Sequence, residues 1–111
     1  MKYLMTVDHP LKENMRLRVQ NYASQSLIKR FGSDFDVVAS FDGTSIDTPV
    51  TFTLTTISPA VTGMVSTTLF EINRSELHPD NFNLDSFMNK YGHPTINQLI
   101  SDIVKSAHEN S

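Results

Sequence analysis

The chain has 111 residues, 39% of them hydrophobic and 19% charged, which suffices for one domain and leaves too little for two separate cores. Its formal charge of −3 at pH 7 argues against a dedicated nucleic-acid binder. The absence of cysteine excludes disulfide frameworks, thiolate catalysis and cysteine-ligated zinc or iron–sulfur sites. No apolar run approaches the ~20 residues that span a bilayer, and the apolar patch at 3–7 is too short for a signal peptide. A single soluble, cytoplasmic domain is therefore expected.

Residues 2–7 are short, apolar and partly β-branched, and read as a strand. Asp8 and Pro10 then carry a helix-start signal, a cap candidate followed by a proline whose missing N–H costs nothing in the first turn. Leu11, Met15, Val19, Tyr22, Ala23, Leu27 and Phe31 recur at three- and four-residue spacing, which predicts a helix over 10–31 with one apolar face. Gly32 supplies a left-handed stop. From 34 to 42 the period becomes two: Phe35, Val37, Ala39 and Phe41 face one way, and Asp34, Asp36, Ser40 and Asp42 the other. The strand expected over 50–57 repeats the pattern, with Val50, Phe52 and Leu54 alternating with Thr51, Thr53 and Thr55. A third strand is expected over 64–72, without a clear facing. The connections are too short for parallel crossovers, so the three strands are antiparallel.

The last third returns to helix. Asn83 can cap a helix bearing Leu84, Phe87, Met88 and Tyr91, with Gly92 as its stop. Thr95 and Gln98 match a capping box for a final helix whose apolar stripe is Ile96, Leu99, Ile100, Ile103 and Val104. The expected fold is α+β, a three- to four-stranded antiparallel meander with a long N-terminal helix and two C-terminal helices on one face, in the order (β)αβββαα.

Helix, three strands, helix is also the element order of double-stranded-RNA-binding domains. Their Gly-Pro-x-His loop and lysine-rich final helix start are replaced here by Asp42-Gly43-Thr44 and Thr95-Ile96-Asn97-Gln98. Without cations at those places, phosphate neutralisation fails.

Two strings suggest phosphoryl chemistry. Gly32-Ser33-Asp34-Phe35-Asp36 resembles the metal-binding strand of the nucleotidyltransferase superfamily, in which carboxylates at i and i+2 share divalent metals. That resemblance implies metal-dependent phosphoryl or nucleotidyl transfer at Asp34 and Asp36. Against it, the following strand 50–57 has no third carboxylate, and the residues before Asp34 continue a helix where the family has a triphosphate-cradling turn. The plainer reading places both aspartates on the wet face of a strand at a sheet edge. Ser40-Phe41-Asp42-Gly43-Thr44 resembles the Asp-x-Asp-Gly-Thr string of haloacid-dehalogenase-type phosphatases, but with serine at the nucleophile position and no neighbouring base. It reads as a turn.

Three of the four histidines precede proline, at His9, His78 and His93. His78 and His93 are candidate ligands for a transition metal, yet no pair has helical i,i+4 spacing, and structural punctuation ahead of each element is the preferred reading. Residues 1–31 hold six Lys/Arg against two Asp/Glu, whereas 32–111 hold three against ten. Arg16 and Arg18, on the predicted helix, are thus candidates for contact with an acidic protein partner. Thr51, Thr53 and Thr55 form an outward row that suits a second subunit, because threonine fits the pleat and tolerates water. The sequence reading is a non-enzymatic interaction or accessory module, homo-oligomeric or protein-binding, with no cofactor and no membrane or nucleic-acid partner. Its alternative is the Asp34/Asp36 enzyme.

Overall fold

The computed structural model describes residues 13–32, 35–43, 49–57, 64–78 and 80–109. The expected strand at 2–7, the helix start at 8–12, Asp34, the turn formers at 44–48 and 58–63, and Pro79 lie outside the described residues.

The elements run α1 (Glu13–Phe31), β1 (Asp36–Asp42), β2 (Val50–Ile57), β3 (Met64–Ile72), a 3-10 turn (Arg74–Leu77), α2 (Leu84–Phe87) and α3 (His93–Glu109). This is the α+β order expected, αβββαα. The strands form one antiparallel sheet in the order β1-β2-β3. α1 packs on β1, and α3 on β3 and β2, so the helices cover one face of the sheet.

α1 carries Glu13 in its first turn and Lys29 and Arg30 in its last, each complementing the helix dipole. It ends where Gly32 takes φ 75° and returns its N–H to the Ile28 carbonyl at 2.7 Å. Val19, Ala23 and Leu27 are buried as the spacing predicts, while Tyr22 sits at the margin, exposed, with its ring edge-on to His93.

The facing of β1 and β2 follows the alternation. Phe35, Phe41 and Phe52 are 4%, 1% and 0% exposed, so the aromatic face is the core face. Phe41 and Phe52 stack across the β1–β2 ladder with centroids 5.0 Å apart, and Phe87 from α2 meets Phe52 edge-on at 5.2 Å. β3 owes its ambiguous pattern to a bulge. Phe52 faces Phe70 but the next residue, Thr53, faces Thr68, leaving Leu69 as an extra outward residue. Side-chain parity therefore changes mid-strand: Val65, Thr67, Phe70 and Ile72 point inward, and Met64, Ser66, Thr68, Leu69 and Glu71 outward.

The C-terminal helices correct two sequence expectations. Asn83 does cap α2, accepting the Ser86 N–H at 3.0 Å. Gly92, however, stops nothing. The backbone passes through a π turn over Met88–Gly92, closed by the His93 N–H to the Met88 carbonyl, directly into α3. The cause is Pro94, which has no N–H for the helical ladder and whose ring crowds the carbonyl four residues back; a widened turn just before it makes room. The Met88 thioether lies over Gly92, so that a Cβ there would require the Met88 side chain to shift. Thr95 is not a cap either: it is buried and its Oγ1 donates back to the Tyr91 carbonyl at 2.8 Å. Gln98 donates instead to Asp102, whose other carboxylate oxygen accepts from the buried Thr67 hydroxyl at 2.6 Å and so ties α3 to β3.

Candidate functional site: the open sheet face and its edges

The face of the sheet turned away from the helices is built by alternate residues of all three strands. Across its middle run Ser40, Thr53 and Thr68, then Val38, Thr55 and Ser66. Thr53 and Thr68 share a hydrogen bond of 2.7 Å, and Thr55 and Ser66 one of 2.9 Å. These hydroxyls are thus knitted into cross-strand pairs. Exposed apolar side chains, Val38, Ile57, Met64 and Leu69, flank them. The charges on this face are Asp36, Asp42 and Glu71, and none of the three strands contains lysine or arginine. Thr51, Thr53 and Thr55 all lie on this face, half-buried by their neighbours.

The two sheet edges are finished differently. Along the free side of β1, α1 contributes a polar stripe at i, i+4 and i+8. Arg16 donates to the Ala39 carbonyl at 2.9 Å, Gln20 Oε1 accepts the Ala39 N–H at 3.1 Å, and Ser24 Oγ donates to the Phe35 carbonyl at 3.2 Å. The same Gln20 oxygen also accepts from Arg16 at 3.0 Å, so one amide and one guanidinium replace a neighbouring strand around Ala39. Arg16 is anchored from behind by Glu13 at 2.6 Å. Hydrogen bonding to Glu13 raises the Arg16 pKa above its ordinary value against the opposing effect of burial, so the guanidinium is permanently charged. Arg16 is therefore engaged inside the chain, whereas Arg18 projects from the exposed side of α1.

The backbone direction at β3 follows from this geometry. Since the Ala39 N–H and carbonyl both face α1, Ala39 and Leu54 form a non-hydrogen-bonded pair, and Leu54 directs its own groups to Thr67. Alternation then points the backbone groups of Met64, Ser66 and Thr68 out of the free side of β3. Among the described residues, nothing is hydrogen-bonded to them. From Met64 through Phe70 this edge carries no charge and no proline.

The residues considered for metal chemistry do not gather. Asp36 is exposed at the start of β1, its carbonyl taken by the Thr56 hydroxyl at 2.8 Å, and its proposed companion Asp34 is outside the described residues. His78 Nδ1 accepts the Asp80 N–H at 3.2 Å and lies 3.7 Å from the Asp80 carboxylate. His93 opens α3 and shares a hydrogen bond of 3.3 Å with the Tyr22 hydroxyl. Among the described residues, no group of three His, Asp or Glu side chains is placed to hold a metal ion, and no helix is long and apolar enough to cross a membrane.

Sequence reasoning identified the threonine row but missed the sealing stripe. Its signal is visible afterwards: Arg16, Gln20 and Ser24 are polar at four-residue spacing along a helix whose apolar face is narrow. The chain matches no protein-family model, no curated protein and no solved structure.

Proposed function

We propose that this chain is a non-enzymatic interaction module of the cytoplasm that works by self-association, with β3 of one copy adding to β3 of a second. The observation that carries this reading is the difference between the two edges: α1 side chains occupy the backbone groups of β1, while those of Met64, Ser66 and Thr68 face outward. A bare, uncharged edge strand is a template for another strand. An antiparallel pairing centred on Ser66 opposes Met64 with Thr68 and Ser66 with Ser66, so no like charges meet. Glu71 falls beyond the paired segment. The product is a six-stranded sheet whose open face, with Thr51, Thr53 and Thr55, is continuous across the two-fold axis. The exposed Arg18, on the opposite side of the molecule, suits an acidic protein partner of the assembled dimer.

Light scattering during size-exclusion chromatography tests this. The expected result is twice the 12.5 kDa chain mass. Ser66→Pro removes an N–H that points away from β2 and the hydroxyl bonded to Thr55, and Thr68→Lys adds a charge at the edge in place of the hydroxyl bonded to Thr53; both leave the β2–β3 backbone ladder intact and are expected to give folded monomers. A wild-type monomer at the highest soluble concentration, or a dimer that both substitutions leave intact, overturns the proposal.

A further inference from the structure

The 3-10 turn, residues 81–83, α2 and the π turn line a half-open cavity of about 270 Å³. Phe82, Phe87 and Tyr91 give it apolar walls; the Phe82 and Phe87 centroids are 5.6 Å apart, and those of Phe87 and Tyr91 5.3 Å. At its rim, Glu76 Oε1 accepts from the Tyr91 hydroxyl at 2.9 Å and from Lys90 Nζ at 3.3 Å. Lys90 also stands 5.1 Å from the Tyr91 ring centre. Its pKa is raised by hydrogen bonding to Tyr91 and then to Glu76, so the cation is secure at neutral pH. Both members of the ion pair remain substantially exposed, and the pair can open without disturbing the core.

Apolar walls with a few convergent polar groups are the general form of a small-molecule site. The rim here carries one charge of each sign beside one apolar pocket. A lone anion drawn to Lys90 meets the Glu76 carboxylate, and a lone cation drawn to Glu76 must evict Lys90. A ligand bearing both charges satisfies each in turn, its ammonium on Glu76 and its carboxylate on Lys90. We infer that this cavity is a site for a small amphipathic zwitterion, an α-amino acid with an aromatic or branched apolar side chain that lies against Phe82 and Phe87. This site is independent of the β3 edge and does not rest on self-association.

Amide NMR spectra of the full chain, titrated with L-phenylalanine, test the inference against two single-charge analogues, phenethylamine and 3-phenylpropionate. Saturable shifts confined to the turn at 74–78, Phe82 and the 87–91 segment are expected for the amino acid. Each analogue, and each of the conservative variants Glu76→Gln and Lys90→Met, is expected to weaken binding at least about tenfold, the loss of one charge-assisted contact. Equal binding of all three compounds, a response elsewhere in the spectrum, or no saturable response to the amino acid overturns it. The remainder of each variant's spectrum reports whether it is folded.

Discussion

β1 and β3 are both edge strands of one sheet, and both present an outward row of backbone groups, yet the chain treats them differently. On β1, α1 lies close enough for Arg16, Gln20 and Ser24 to bond the Ala39 and Phe35 backbone directly. On β3, the neighbouring helix α3 reaches an inward hydroxyl, Thr67, through Asp102, and sits beneath the strand. A helix beside an edge satisfies the edge; a helix under it does not. The consequence is directional. Growth of the sheet past β1 requires breaking side-chain bonds to backbone, while growth past β3 breaks no bond made by the described residues.

The largest expected effect comes from the strand both edges share. Phe52 is fully buried between the Phe41 and Phe87 rings, and Phe52→Ala is expected to cost about 3–5 kcal/mol in denaturant unfolding. Because β2 supports β1 and β3 alike, amide exchange is expected to quicken along both edges together. A loss of under about 1 kcal/mol breaks the picture of a single core beneath the sheet.

Gln20 separates the edges. Gln20→Ala leaves the Ala39 N–H without its acceptor and Arg16 without one of its partners, an expected loss of about 1–2 kcal/mol. Faster exchange should be confined to β1. Gln20→Glu keeps most of that stability, since both contacts use the acceptor oxygen that glutamate retains. If glutamate is as damaging as alanine, the seal is not made through Oε1, and the contrast between the edges loses its mechanism.

The legible parts of the fold were those where one period runs unbroken. β1 and β2 alternate without a fault, so Phe35, Phe41 and Phe52 could be placed inside and the threonine row outside from sequence. β3 could not be faced because an extra residue, Leu69, inverts the alternation halfway, and a bulge has no composition of its own to announce it. Gly92-His93-Pro94 reads as a stop because glycine and proline usually punctuate; here a π turn, closed by the His93 N–H to the Met88 carbonyl, carries the helix past Pro94, and no local spacing announces it. From sequence, Arg16 reads, with Arg18, as a candidate contact for an acidic partner. Its role depends on where β1 passes, and strand position relative to a helix is not written in local spacing.

The smallest expected effect concerns the charges that β1 carries and the exposed run of β3 lacks. Asp36 and Asp42 stand at the two ends of β1 on the open face, where a carboxylate is solvated and opposes stray pairing. Neutralising one of them should therefore change little: Asp36→Asn is expected to shift stability by under about 0.5 kcal/mol, in either direction, with the solution mass unchanged. The same position tests the competing chemistry. A strand aspartate that binds divalent metal together with Asp34 must respond to magnesium or manganese, so a titration followed at the Asp36 amide and side-chain carboxylate should show only the weak, non-saturating drift of an exposed acid. Saturable binding abolished by Asp36→Asn would move the centre of function from the bare edge of β3 to the sealed edge of β1.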